Sequence, residues 1–112
     1  MNEKTAVVGL TALAHETRLR IFRTLIGAGP EGLTPSTLSA MLGLTGSNLS
    51  FHLKELAHAD LVCVERDGRQ LFYRPNFDHM NGLVGYLVDH CCQGQDCTLT
   101  LQRTKVCGPR SC

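Results

Sequence analysis

Apolar and polar positions follow two different periods along this chain. Over residues 4–14, Val7, Leu10 and Ala14 recur at helical spacing and predict a short first helix. Over 15–28, Leu19, Phe22, Leu25 and Ile26 form an apolar face, with Arg18, Arg20 and Arg23 mostly opposite. "GAGPEG" ends that second helix, since Gly and Pro both interrupt the pattern. Thr34 fits an N-cap, with Pro35 at the first helical position, where its missing N–H costs nothing. Leu38, Met41 and Leu42 predict the buried face of a short third helix, and Gly43 its end. "TGSNLSFHLKELAHA" predicts a fourth helix with Leu49, Leu53 and Leu56 as its core stripe. Ser47, Asn48, Ser50 and Lys54 fall on or near its exposed side.

The period then changes to two. "LVCVER" and "RQLFYR" are rich in Val, Leu, Phe and Tyr, and only Asp67 and Gly68 separate them. Asp-Gly between two such runs predicts a hairpin with a type I′ turn, which needs positive φ at both positions. Pro75 closes the second strand. Met80, Leu83, Val84, Leu87 and Val88 then predict a fifth helix over 77–92, ended near Gly94. From Thr98 onward no period is sustained, so residues 1–97 read as one domain and 98–112 as a tail. Two short helices joined by a tight turn and followed at once by a hairpin give a winged helix-turn-helix order. The expected class is mainly α with a β-hairpin wing (α+β).

Composition narrows this only a little. The 112 residues suffice for one core and not for two domains. No apolar run approaches a membrane span, and the N-terminus lacks the basic start and apolar core of a signal peptide. A cytoplasmic protein with reduced thiols is therefore expected. The net charge of +1 lends DNA binding no support, so that reading rests on motif and local charge. On the fourth helix, Ser47, Asn48, Ser50, His52 and Lys54 are candidates for phosphate and base-edge contacts. Arg66 and Arg69 flank the hairpin turn and are placed to reach phosphate or the minor groove, although Glu65 and Asp67 dilute the local charge.

The six cysteines carry the remaining chemistry. In "HCCQGQDC", Cys91 and Cys92 continue the helical stripe and by themselves could be small buried hydrophobes. Cys97 lies beyond Gly94 in a polar loop, which that reading leaves unexplained. Adjacent thiols in a helix diverge by about 100°, so they converge on one ion only where the helix ends. Three thiolates without an obvious fourth ligand suit arsenic(III) or antimony(III), whereas structural zinc takes four ligands. Cys63, between Val62 and Val64, reads as core, and Cys107 and Cys112 as tail thiols. Asp78, His79 and His90 are a weaker zinc set because their spacing is imperfect. "CTLTLQR" matches a bare C-x5-R phosphatase pattern, but it has no glycine and no preceding strand to build an anion cradle, so no enzyme is expected.

"LAHETRLRIFRTL" followed by "LSAMLGLTGSNLSFHLKELAHADLVCVERDGRQLFYR" resembles the ArsR/SmtB family of metal-responsive repressors. The resemblance covers roughly residues 10–75, and its most specific pieces are "TRLRIF", "FHLKEL" and "RDGR" with the later "YR". It implies a homodimer joined through the first and fifth helices, a recognition helix near 46–58 and a wing near 61–74. It also implies that effector binding weakens the grip on double-stranded operator DNA. Many members carry thiolates as a "CVC" run on the helix before the recognition helix, and here "GLTPSTLSAML" has none. A subset of arsenite-responsive members instead places thiols at the end of the fifth helix, as Cys91, Cys92 and Cys97 would be. The expected function is an arsenic(III)-responsive repressor. A methylarsenite-selective or thiol-redox regulator is the alternative within the family, and a small thiol enzyme or metal-sequestering protein the alternative outside it.

Overall fold

The computed structural model describes residues 1–89. In chain order these form α1 (Glu3–Leu13), α2 (Glu16–Ala28), α3 (Pro35–Leu42), α4 (Gly46–His58), β1 (Val62–Asp67), β2 (Gln70–Pro75) and α5 (Phe77–Val88). Each helix starts on a side chain that accepts from a backbone N–H of the first turn: Asn2, His15, Thr34, Thr45 and Asn76 in turn. Such caps satisfy donors that the helix itself leaves unpaired. Gly43 ends α3 in the left-handed conformation, with φ 68°, and the chain re-enters a helix at Gly46. That tight turn sets α3 against α4 and makes the helix-turn-helix.

The core lies between the helices and the base of the hairpin. Ile21, Phe22 and Leu25 of α2 meet Leu38 of α3 and Leu49, Leu53 and Leu56 of α4, with Leu61, Val62 and Leu83 closing it. Each fully buried side chain of this size contributes roughly 1.5–3 kcal/mol before entropy. β1 and β2 pair antiparallel from Val62↔Pro75 to Asp67↔Gln70. Leu33, just before α3, exchanges two backbone hydrogen bonds with Tyr73, each 2.8 Å, and ties the wing to the helical body. Gly32 makes this approach possible. Its φ is +79°, and a Cβ there would lie 2.7 Å from the Tyr73 carbonyl oxygen.

Several expectations shift by a residue. The hairpin turn is Gly68–Arg69 rather than Asp67–Gly68, because Asp67 pairs with Gln70. Only Gly68 has positive φ, at the first central position, which is the requirement of a type II′ rather than a type I′ turn. On α1 the buried stripe is Ala6, Gly9 and Ala12, which leaves Val7, Val8 and Leu10 exposed. Ile21 replaces Leu19 and Ile26 on the buried side of α2, and Met41 of α3 is 60% exposed. The fifth helix stops at Val88 rather than 92, with Asp89 as an extended C-cap. An acid opposes the negative end of the helix macrodipole, and Asp is a poor helix former. Only Leu83 of α5 is buried, and Leu87 is exposed.

Candidate nucleic-acid interface

α4 turns Leu49, Leu53 and Leu56 inward, so the residues between them face out. Ser47, Phe51, Lys54 and His58 are spaced by four, three and four, and lie along one line of the helix. All four are exposed, as are Asn48 and Ser50 on either side. The structure therefore presents four of the five expected α4 candidates outward: Ser47, Asn48, Ser50 and Lys54. His52 is different. It is half-buried and turned toward α2.

His52 is the centre of a small cluster between α4 and the start of α2. Arg18 Nε donates to His52 Nδ1 at 3.2 Å. The His15 ring lies 4.7 Å away, tilted by 51°. Phe51 meets His52 edge-on at 5.3 Å, and the Arg18 guanidinium sits 5.8 Å from the centroid of the Phe51 ring. His15 itself is occupied as the N-cap of α2, where Nδ1 accepts from Thr17 N–H. Burial lowers the His52 pKa from its ordinary 6.5. The neighbouring His15 and Arg18 act in the same direction, while Glu55 opposes them. A neutral His52 is what the Arg18 hydrogen bond needs, because Nδ1 must accept. His52 thus joins α4 to the start of α2 through Arg18 and His15.

In the wing, Arg66 and Arg69 are both exposed, Arg66 opposite Leu71 near the tip and Arg69 in the turn. Arg74 is buried and forms an ion pair with Glu65. That pairing engages one of the two acids that diluted the charge of the wing, and so favours a net attraction for phosphate there.

Phe51 was not visible as a candidate, because an aromatic residue inside a helical pattern reads as core. Its offset from the stripe of Leu49, Leu53 and Leu56 was the available signal. Arg18 falls opposite the apolar face of α2 in the sequence pattern, which gives no sign of its partner on α4.

Cys91, Cys92 and Cys97 lie outside the described residues, as do His90, Cys107 and Cys112. Among the described residues no three His, Cys, Asp or Glu side chains gather as a metal site. His79 N–H donates to Asn76 Oδ1 in the cap of α5. Cys63, expected as a core residue, is half-buried and disulfide-bonded. No helix among the described residues is long and apolar enough to cross a membrane.

A helix-turn-helix domain family matches residues 13–65. The HTH-type transcriptional regulator CmtR of Mycobacterium tuberculosis is 41% identical over 78 residues, which is 69% of this chain and 63% of CmtR, so the chain spans less than two thirds of that relative. The arsenical resistance operon repressor of Bacillus subtilis is 35% identical over 81 residues, 72% of this chain and 73% of its own. Among solved structures, an ArsR-like transcriptional regulator from Rhodococcus sp. RHA1 superposes with a TM-score of 0.67 at 26% identity, covering 75% of this chain and 76% of its own. HlyU from Vibrio cholerae superposes with a TM-score of 0.61 at 33% identity, covering 78% of this chain and 97% of its own. With five helices and a two-stranded wing among the described residues, and with these relatives, the chain belongs to the ArsR/SmtB family of winged helix-turn-helix transcriptional regulators.

Proposed function

We propose that this protein is an arsenic(III)-responsive repressor that binds operator DNA as a homodimer. The observation that carries the DNA part is the outward line of Ser47, Phe51 and Lys54 on α4, next to a wing carrying Arg66 and Arg69. Two copies of α4 then enter successive major grooves, with the wings against the backbone. Val7, Val8 and Leu10 of α1 and Tyr86 and Leu87 of α5 are exposed apolar side chains, which supports a dimer through these two helices.

The effector part is supported by the three thiols of Cys91, Cys92 and Cys97 and by similarity to a protein named an arsenical resistance operon repressor. Arsenite, or antimonite, exchanges its three oxygens for the three sulfurs, and three waters leave. Ligand and DNA then oppose each other by one coupling energy. Single Cys→Ser variants at the three positions test this. Each is expected to bind DNA and to ignore arsenite. A need for only two of the thiols points to methylarsenite, in which carbon already occupies one arsenic bond. Release by arsenite from all three variants contradicts the site.

A thiol-redox response is the second reading, supported by the closeness in sequence of Cys91 and Cys92 to Cys97. In it, peroxide oxidises two thiols to a disulfide and is reduced to two waters. Peroxide alone then releases DNA, and Cys97→Ser prevents it.

A further inference from the structure

We infer that Phe51 is a specificity residue that reads the 5-methyl group of thymine in the major groove. The inference rests on the DNA-binding reading above and names what one position of that surface recognises. Phe51 is 54% exposed at the middle of the outward line of α4, between Ser47 and Lys54. A large apolar ring in the centre of a polar helix face loses contact with water only if something apolar meets it. Of the groups that a duplex displays in its major groove, the thymine methyl is the apolar one, and aromatic side chains are among its partners. The flanking Ser47 and Lys54 suit phosphate or base edges and leave the ring as the apolar element of the line.

The ring is also held in place before any ligand arrives. Arg18 lies 5.8 Å from its centroid on one side, and the His52 ring meets it edge-on at 5.3 Å. Arg18 is fixed in turn by its hydrogen bond to His52 Nδ1. A side chain restrained in this way loses little rotamer freedom on binding, which favours its use in recognition. Phe51 is not part of the buried core, so core packing does not explain an apolar ring at this position.

The test replaces thymine by deoxyuridine, which removes the methyl group and keeps every base-pair hydrogen bond. A duplex is first selected from a randomised pool by the full-length wild-type chain. It is then made with thymine or with deoxyuridine in its half-sites, and both forms are titrated with wild type and with Phe51→Ala. Wild type is expected to bind the thymine form about fourfold more tightly per half-site, the worth of one buried methyl-sized group. Phe51→Ala is expected to bind both forms alike, with its helix content and salt dependence kept. Phe51→Leu, which retains an apolar side chain, keeps part of the preference. Equal binding of both forms by wild type, or an unchanged preference in Phe51→Ala, overturns the inference. Failure to enrich any duplex overturns instead the DNA-binding reading on which it rests.

Discussion

Arg18 on α2 donates a hydrogen bond to Nδ1 of His52 on α4, 3.2 Å away, and so joins the outward-facing helix to the one behind it. The bond exists only while His52 Nδ1 is unprotonated, so it makes this junction sensitive to pH.

Burial, His15 and Arg18 hold the folded His52 pKa below 6.5, against Glu55. The unfolded chain therefore takes up this proton more readily than the folded one. The stability contributed by neutral His52 is fully present above 6.5 and falls as pH drops through that value toward the lowered folded pKa. The denaturation midpoint is expected to be lower at about pH 5.5 than at about pH 7.5, and His52→Gln to reduce that difference. A variant with the same pH dependence as wild type contradicts this account.

Two glycines are expected to respond to alanine with opposite signs. Gly32→Ala introduces a Cβ against the Tyr73 carbonyl at positive φ, and costs about 1 kcal/mol or more in thermal or chemical unfolding. Gly27 lies within α2 with open space around it, and Gly27→Ala is expected to stabilise by roughly 0.5–1 kcal/mol. A neutral Gly32→Ala shows that the link between Leu33 and Tyr73 is not anchoring the wing.

Core and surface leucine-sized residues separate in the same way. Leu53 is 1% exposed, and Leu53→Ala is expected to cost about 2–5 kcal/mol. Met41 is 60% exposed, and Met41→Ala is expected to stay within about 0.5 kcal/mol. Equal losses at the two positions mean that α3 buries its other side.

The order of elements was legible in the sequence because caps and turn residues act locally. Thr34 with Pro35, Gly43, and the Asp67–Gly68 neighbourhood each announced a boundary within a residue or so. The stripe of α4 was also legible, since Leu49, Leu53 and Leu56 are strongly apolar among polar neighbours. The faces of α1 and α5 were not. Apolar residues surround both helices, and periodicity alone does not distinguish the side facing the core from a side left exposed, as at Val7 and Leu87. Within the candidate interface, polarity picked out Ser47, Asn48, Ser50 and Lys54 as exposed, but it did not reveal the surroundings of two neighbours. His52 is drawn inward by Arg18, a partner 34 positions away that no local pattern reveals. Phe51 is apolar and yet faces out. The thiol cluster at 91–97 was legible as chemistry from its spacing, and lies outside the described residues.

Phosphate contacts have a separate signature. Lys54→Ala and Arg69→Ala are each expected to weaken DNA binding about equally across sequences, and to lower the slope of log affinity against log salt by about one per half-site. Both side chains are exposed, so stability should change little. A loss confined to one DNA sequence, with the salt slope unchanged, contradicts a phosphate role.

The most direct test of the central claim is a fluorescence-anisotropy titration of the reduced protein on duplex DNA from upstream of its own gene. Arsenite, methylarsenite, zinc and peroxide are added in turn. Tight binding, release by arsenite, and loss of that release on Cys97→Ser are the expected results. Binding that arsenite leaves intact, while zinc or peroxide reverses it, contradicts the arsenic site and keeps only the DNA-binding fold.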